Sequence, residues 1–208
     1  MNNYLVNFLK DHELDYKSQL LKYTLGILNP GEPIIVHINS NNLSYANIKK
    51  SSMIIIKTQT MKKIQEKHKI PGDILINLDK LINNSVFAFD SIQNKSRIFV
   101  LNQKINNNLI IFTVKESKIN DVVCNEITSV YDRVNLQNLI KLTCDAQKKF
   151  YINPDNEIEF LNLDLTIPTK MICNMKNISY QTEQNIKDKF NLTPSEQQLL
   201  ESLKKIKL

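Results

Sequence analysis

Three histidines are the side chains best suited to acid–base chemistry, because an unperturbed imidazole titrates near neutral pH. His12 stands between two carboxylates and is most simply an exposed residue. His37 lies in the apolar run PIIVHI, which favours a hydrogen-bonded strand residue over a general base. His68 lies in the basic run EKHK, where neighbouring lysines lower the pKa of an imidazole and keep it neutral. His68 is therefore either an RNA-facing group or part of a solvated helix face.

Motifs for nucleophilic or metal-assisted catalysis are absent from the sequence. It contains no GxSxG, CxxC or HxxxH pattern, and Cys124, Cys144 and Cys173 are too widely spaced for a zinc knuckle. With only 3 glycines, a glycine-rich phosphate loop is also excluded. We therefore expect neither a metal nor a cofactor. An enzyme made from this chain would act as metal-independent ribonucleases do, with a base, an acid and a cation.

A strongly basic segment follows the second predicted strand. The chain carries a net charge of +6, and five lysines of this segment stand against Glu66 alone. Such a charge density attracts polyanions, either RNA or an acidic protein surface. Only Arg97 and Arg133 are arginines, however, and bidentate phosphate contacts favour arginine, so a solvated lysine surface is the alternative. The predicted binding residues are Lys57, Lys62, Lys63, Lys67, His68 and Lys69.

Targeting and membrane signals are missing from the sequence. The first residues lack the basic and apolar regions of a signal peptide. No apolar run approaches the roughly 20 residues of a membrane-spanning helix. The sequence thus predicts a cytosolic protein with reduced thiols and no membrane partner.

Helices and strands are both predicted in the first part of the chain. Apolar spacing predicts a helix over 4–28, and strands over 33–38 and 53–59 flank a short helical turn over 44–50. Thr60 is predicted to cap a helix that runs to residue 69, and Asp73 to cap another. The apolar face of that second helix comprises Ile74, Leu75, Leu78, Leu81 and Ile82.

A β-meander is predicted in the middle of the chain. Three β-rich runs, 85–89, 97–101 and 109–114, are separated by short asparagine-containing turns, and 125–131 supplies a fourth strand. An amphipathic helix over 135–149 follows, with Leu136, Leu139, Ile140 and Leu142 facing inward. The predicted fold class is α+β, an antiparallel sheet of about four to five strands with flanking helices and a C-terminal helical hairpin.

The end of the chain differs in character from the rest. Thr193, Pro194 and Glu196 form the capping signature of a helix N-terminus, followed by one apolar face. We therefore divide the chain into an α+β domain over 1–168 and a helical tail over 169–208.

Several short motifs occur in a fixed order across the central region. His68 and Pro71 precede a leucine-rich helix, and Phe89-Asp90-Ser91 ends the first strand of the meander. The segment VCNEITSVY over 123–131, with Arg133 after it, leads into the next helix. Over roughly residues 34–168 the sequence resembles the phage MuF C-terminal domain family. It departs from the family's pattern at two places, where Asn83-Asn84 stand in place of the usual Asp-Pro step and Asn106–Asn108 in place of the usual turn glycine.

This resemblance implies a temperate-phage or mobile-element protein, in the form of a stand-alone domain with its own helical tail. Such domains are suspected of kinship with RNases of the barnase–EndoU–RelE type, which is an analogy of fold. The candidate catalytic residues that the resemblance implies are Ser129, Tyr131, Arg133, Asn125 and Ser91. A structural interpretation is also open. Ser91, Asn125 and Ser129 can form hydrogen bonds with backbone groups at the end or edge of a strand, and Tyr131 can be an aromatic residue of the core.

These observations lead to one hypothesis with two alternatives. The first is an effector in the bacterial cytoplasm that binds RNA or a protein–RNA complex and, if it is an enzyme, cuts RNA as a metal-independent toxin. The second is a non-enzymatic inhibitor that binds a host defence protein, as anti-CRISPR proteins do. The third is an accessory protein of the virion.

Overall fold

The computed structural model describes residues 15–37, 40–49, 52–119, 121–166, 168, 171, 175–176 and 184–185. The described residues form one mixed sheet of eight strands, with helices packed against it. In chain order the elements are α1 (Tyr16–Thr24), β1 (Pro33–His37), a 3-10 turn (Asn41–Ala46), β2 (Ile54–Lys57), α2 (Thr58–Glu66), α3 (Gly72–Ile76), α4 (Leu78–Asn83), β3 (Ser85–Asp90), β4 (Arg97–Ile105), β5 (Asn108–Ile119), β6 (Val122–Asp132), α5 (Leu136–Asp145), β7 (Phe150–Ile152), a 3-10 turn (Pro154–Asn156), α6 (Glu157–Leu161) and β8 (Met175–Lys176).

The predicted meander is the centre of the sheet. Strands β3, β4, β5 and β6 pair antiparallel in sequence order, and β4 lies between β3 and β5 as expected. The turn between β4 and β5 consists of Asn106 and Asn107, both with positive φ of 49° and 66°. Asparagine tolerates this left-handed conformation, so it replaces glycine in the tight hairpin turn. The α+β class and the meander are confirmed.

The sheet is larger than the four to five strands predicted. Strand β2 pairs parallel with β6, and β1 pairs antiparallel with β2. On the other side β7 pairs antiparallel with β3, and β8 pairs parallel with β7. The last two strands have three and two residues, which is too short for an alternating pattern to be recognised.

Each face of the sheet carries its own hydrophobic core. Alternate residues of the central strands, such as Phe99 and Phe112, pack with α1 to α4 on one face. Their neighbours Ile98 and Ile111 pack with α5 and α6 on the other. We call these the α2 face and the α5 face. The two-sided burial explains why the central strands read as continuous apolar runs.

Three details of the predicted helices are corrected. Helix α2 begins at Thr58, so Thr60 lies inside it and caps nothing. The helix predicted after Asp73 is two short helices separated at Asn77, and Asp73 lies within the first turn of α3. Leu142, predicted to face inward, is 49% exposed because it lies at the rim of a cavity on the α5 face.

The remaining predictions concern the two ends of the chain. Residues 4–14 of the first predicted helix lie outside the described residues, as does the predicted hairpin over 179–208 except for 184 and 185. Met171 and Met175 are buried in the core of the α5 face. The domain boundary after residue 168 stays a prediction. None of the helices in the described ranges is long and apolar enough to span a membrane.

Candidate functional site

The end of α2 lies beside the second half of β6. Strand β2 stops pairing with β6 at Ile127, and α2 begins immediately after β2. Met61 and Ile64 anchor the helix in the core of the α2 face. The backbone N–H of His68 donates to the Lys63 carbonyl at 3.4 Å, which closes the end of the helix. This connection places the His68 imidazole next to the part of β6 that β2 leaves uncovered.

His68 contacts two of the predicted site residues. Its Nε2 lies 3.4 Å from the Ser129 hydroxyl oxygen. Its ring stacks on Tyr131, with the two ring centroids 5.2 Å apart and the planes 27° from parallel. The sequence placed His68 in the basic binding segment and the other two in a separate catalytic set; the structure brings the three together.

The surroundings of His68 lower its pKa below the ordinary value of 6.5. Partial burial is the largest cause, because a charged imidazole loses solvation there. The positive charges of Lys63 and Lys67 act in the same direction, and the negative charge of Asp132 opposes them. The imidazole is therefore neutral at pH 7, with one nitrogen donating and one accepting.

A cavity of about 480 Å³ on the α5 face holds two more of the predicted residues. Ser91, Tyr131 and Arg133 line it, together with residues of the β3–β4 loop and of α5. The Arg133 backbone N–H donates to the Leu109 carbonyl at 2.9 Å, which fixes the residue just beyond β6. Its Nε is buried and has no hydrogen-bond partner among the described residues. A guanidinium with an unused donor thus lies in the same cavity as the Tyr131 ring.

A β-bulge in β6 lies next to Ser129 and changes which face of the sheet the following side chains occupy. Thr113 of β5 pairs with Ser129, but the next residue, Val114, pairs with Ile127, so Thr128 is an extra residue in β6. The Thr128 hydroxyl contacts the Thr113 hydroxyl at 2.6 Å, and both line the cavity. Bulges change the direction of side chains on the strand that contains them. Both threonines were missed, because a bulge cannot be recognised from apolar alternation.

Asn125 lies apart from the other catalytic candidates. It is only 3% exposed and lines a different, smaller cavity, together with Arg97 and Val114. Val114 belongs to the core of the α2 face, whereas Thr113, the preceding residue, lines the large cavity. Successive strand residues point to opposite faces, so Asn125 and the His68–Tyr131 pair serve different cavities.

The six predicted binding residues also divide into groups. Lys57 ends β2, and its ammonium lies 3.2 Å from the buried Glu126 carboxylate, so it stabilises the sheet. His68 belongs to the contacts described above. The lysines exposed to solvent along and after α2 are Lys62, Lys63, Lys67 and Lys69.

The other described histidine does not join the site. The Nε2 of His37 lies 2.6 Å from the Asp79 carbonyl oxygen, to which it can donate. This contact fits the interpretation of His37 as a hydrogen-bonded strand residue.

The chemistry available at the cavity is proton transfer with charge stabilisation. A neutral imidazole can accept a proton, a phenol or hydroxyl can donate one, and the Arg133 guanidinium can stabilise a developing negative charge. These groups come from the end of α2 and from one stretch of β6, with Ser91 added from the end of β3. Tyr131 links the two parts of this arrangement, because it stacks on His68 and also lines the cavity with Ser91 and Arg133.

Comparison with known proteins gives one finding. Neither the curated proteins nor the solved structures contain a match to this chain. The family model described as the phage MuF C-terminal domain matches residues 59–157. That range runs from α2 to the start of α6 and includes His68, Ser129, Tyr131 and Arg133. The resemblance to the phage MuF C-terminal domain family expected from the motifs is therefore confirmed, over a narrower range than the roughly 34–168 expected.

Proposed function

We propose that this protein is a phage or mobile-element effector that binds RNA in the bacterial cytoplasm and cleaves it without a metal. The observation that carries the proposal is the contact of a neutral His68 with Ser129 and with Tyr131, which lines the large cavity together with Arg133. The match to a phage domain family supports the phage origin.

The reaction that these groups fit uses the RNA 2′-hydroxyl as the nucleophile. With Nε2–H donating to the Ser129 oxygen, the lone pair on Nδ1 of His68 accepts the 2′-hydroxyl proton. The 2′-oxygen then forms a bond to phosphorus while the bond from phosphorus to the 5′-oxygen breaks. The Tyr131 phenol donates a proton to the departing 5′-oxygen, and Arg133 stabilises the charge on the phosphorane oxygens. The products are a 2′,3′-cyclic phosphate and a 5′-hydroxyl, and proton exchange with water restores both side chains.

The exposed lysines of α2 supply the binding part of the proposal. Lys63 and Lys67 lie within one turn of His68, so RNA held by their charges passes close to the imidazole. Such contacts are independent of sequence and weaken as salt rises. After burial, which is the larger cause, the same lysine charges also lower the pKa of His68, so the binding charges act on the proposed base as well.

Expression in a bacterial host tests the proposal. We expect the intact chain to arrest growth with loss of intact RNA, and His68→Asn and Arg133→Gln each to relieve the arrest at equal protein level. Lys104→Gln, at an exposed residue of β4, is the matched surface control and should remain toxic. An arrest that persists in both site variants contradicts the proposal.

Binding to a host defence protein is the second candidate function. Its supporting observation is that the lysines of α2 are exposed to solvent, so a partner protein can contact them without entering the large cavity. This function predicts tight, salt-sensitive binding to one host protein with no toxicity, and no effect of His68→Asn. The expression experiment thus separates the two functions.

A further inference from the structure

A second cavity, of about 150 Å³, lies on the α2 face of the sheet. Arg97 from β4, Asn125 from β6, Lys95 from the β3–β4 loop and Lys49 line it. None of these side chains belongs to the large cavity on the α5 face. We call this smaller one the Arg97 cavity.

The Arg97 guanidinium is held by an ion pair and a ring contact, which leave its Nη1 group unused. Its Nε lies 2.9 Å from the Asp90 carboxylate, and its central carbon lies 4.5 Å from the centre of the Tyr151 ring. Nη1 is buried and has no hydrogen-bond partner among the described residues. A guanidinium only donates, so the group missing from Nη1 is an acceptor.

Asn125 presents a second unused donor. The residue is 3% exposed, and its backbone N–H is satisfied by the Met53 carbonyl at 2.8 Å. Its side-chain Nδ2 is buried and, within the described part of the chain, has no partner. Buried polar groups are normally paired, and an unpaired one destabilises the fold. Two such donors in one cavity therefore indicate a ligand rich in acceptor oxygens.

The charges around the Arg97 cavity favour an anion. Lys49, Lys95 and Arg97 are positive, and Glu116 is the lining residue that opposes them. Lys115 also lines the cavity, but its ammonium lies 3.8 Å from the Glu126 carboxylate, which offsets its charge. Asp90 is engaged by Arg97.

We propose that the Arg97 cavity binds a phosphoryl oxyanion through Arg97, Asn125 and Lys95. Its volume lies below the roughly 300 Å³ at which pockets begin to hold whole drug-sized ligands, so it accommodates a single phosphoryl group. A tetrahedral oxyanion offers acceptors to Arg97 Nη1 and Asn125 Nδ2 together and balances the charge of Lys95. The phosphoryl group comes either from free orthophosphate or from the backbone of a bound RNA.

Titration of the full chain with orthophosphate, at ionic strength held constant with sodium chloride, tests the site. We expect a saturable rise in the melting temperature that chloride alone does not produce. Asn125→Leu, which removes the donor but fills the space, should weaken phosphate binding about tenfold. Lys95→Ala should weaken it several-fold without disturbing the core, whereas Lys104→Ala on the same β4 hairpin should leave it unchanged.

Two further measurements locate the source of the phosphoryl group. If Lys95→Ala weakens the binding of a short single-stranded RNA as well as of orthophosphate, the ligand is an RNA phosphate. If it weakens only orthophosphate, the ligand is the free ion. No saturable rise in the wild type, or equal phosphate affinity in the wild type and in Lys95→Ala, overturns the proposal. His68→Asn should keep full phosphate affinity, so failure of the proposed cleavage leaves this test intact.

Discussion

The rings of His68 and Tyr131 stack at 5.2 Å between centroids, although one follows a helix and the other lies in a strand far along the chain. Stacked aromatic rings hold each other in a fixed orientation. The contact ties the end of α2 to the half of β6 that β2 does not cover. A mobile imidazole would lose entropy on meeting a substrate, whereas this one is already positioned.

The Tyr131 hydroxyl and the Tyr131 ring have separable roles. Tyr131→Phe keeps the stack on His68 but removes the proposed acid, so we expect RNA cleavage to fall about a hundredfold with RNA affinity unchanged. Tyr131→Leu removes the stack too and should lower cleavage further. Cleavage rates with saturating protein measure both effects. Full activity in Tyr131→Phe would exclude the phenol as the acid.

The pKa of His68 should depend on the lysines of α2. Substituting Lys63 and Lys67 with Gln removes two of the causes that lower it, so the pKa should rise toward 6.5. NMR titration of the imidazole Cε1 proton measures the change, and Lys104→Gln is the control. The low-pH limb of any cleavage profile should move to higher pH by the same amount. An unchanged pKa in the double variant would show that burial alone sets it.

The same shift predicts how stability varies with pH. Because folding lowers the pKa of His68, the unfolded chain binds its proton more readily. The contribution of the neutral imidazole to the free energy of unfolding is complete above pH 6.5. It is lost as the pH falls through the lower pKa that His68 has in the folded protein. His68→Asn should flatten this part of the stability–pH curve in chemical denaturation experiments. A curve with the same slope in variant and wild type would contradict the assignment.

The exposed lysines of α2 should control the rate of partner association. Changing Lys62, Lys63 and Lys67 to Glu should slow association with RNA much more than it speeds dissociation, because long-range attraction acts on encounter. The difference should shrink as salt shortens the screening length below about 8–10 Å. Surface-binding kinetics at several salt concentrations provide the measurement. Affinity equal to wild type at low salt would leave these lysines only a solubility role.

Met175 should contribute to the stability of the main domain. It is buried on the α5 face beside β7, so Met175→Ala should lower the free energy of unfolding by about 2–5 kcal/mol. Denaturant unfolding of the full chain provides the value. A change below about 0.5 kcal/mol, as at a surface position, would place the boundary before Met175 and support the division after residue 168.

Local patterns were enough to predict the meander but not the arrangement around it. The β-rich runs and the turn asparagines between them predict the meander, because neighbouring strands joined by tight turns pair with each other. The parallel pairing of β2 with β6 joins segments far apart in sequence, and no local pattern specifies it. That pairing delivers α2, and with it His68, to Ser129 and Tyr131. The sequence could therefore supply candidate residues, while the contacts among them depend on this pairing.

The separation of Asn125 from Ser129 has a similar cause. Both lie in one strand segment, and the bulge at Thr128 changes the alternation between them. The family resemblance grouped them into a single candidate site. Only the pairing register shows that Asn125 belongs with Arg97 and Ser129 with His68.

The most direct test of the proposed function is cleavage of a short RNA in EDTA, comparing an all-ribose strand with one carrying a single 2′-O-methyl group. We expect the wild-type protein to cut the ribose strand to a 2′,3′-cyclic phosphate and a 5′-hydroxyl, and to spare the methylated position. His68→Asn should lose at least a hundredfold in rate while still binding the strand. Cleavage that proceeds at the methylated position, or an equal rate in His68→Asn, would contradict the account, as would no cleavage of any RNA by the wild type.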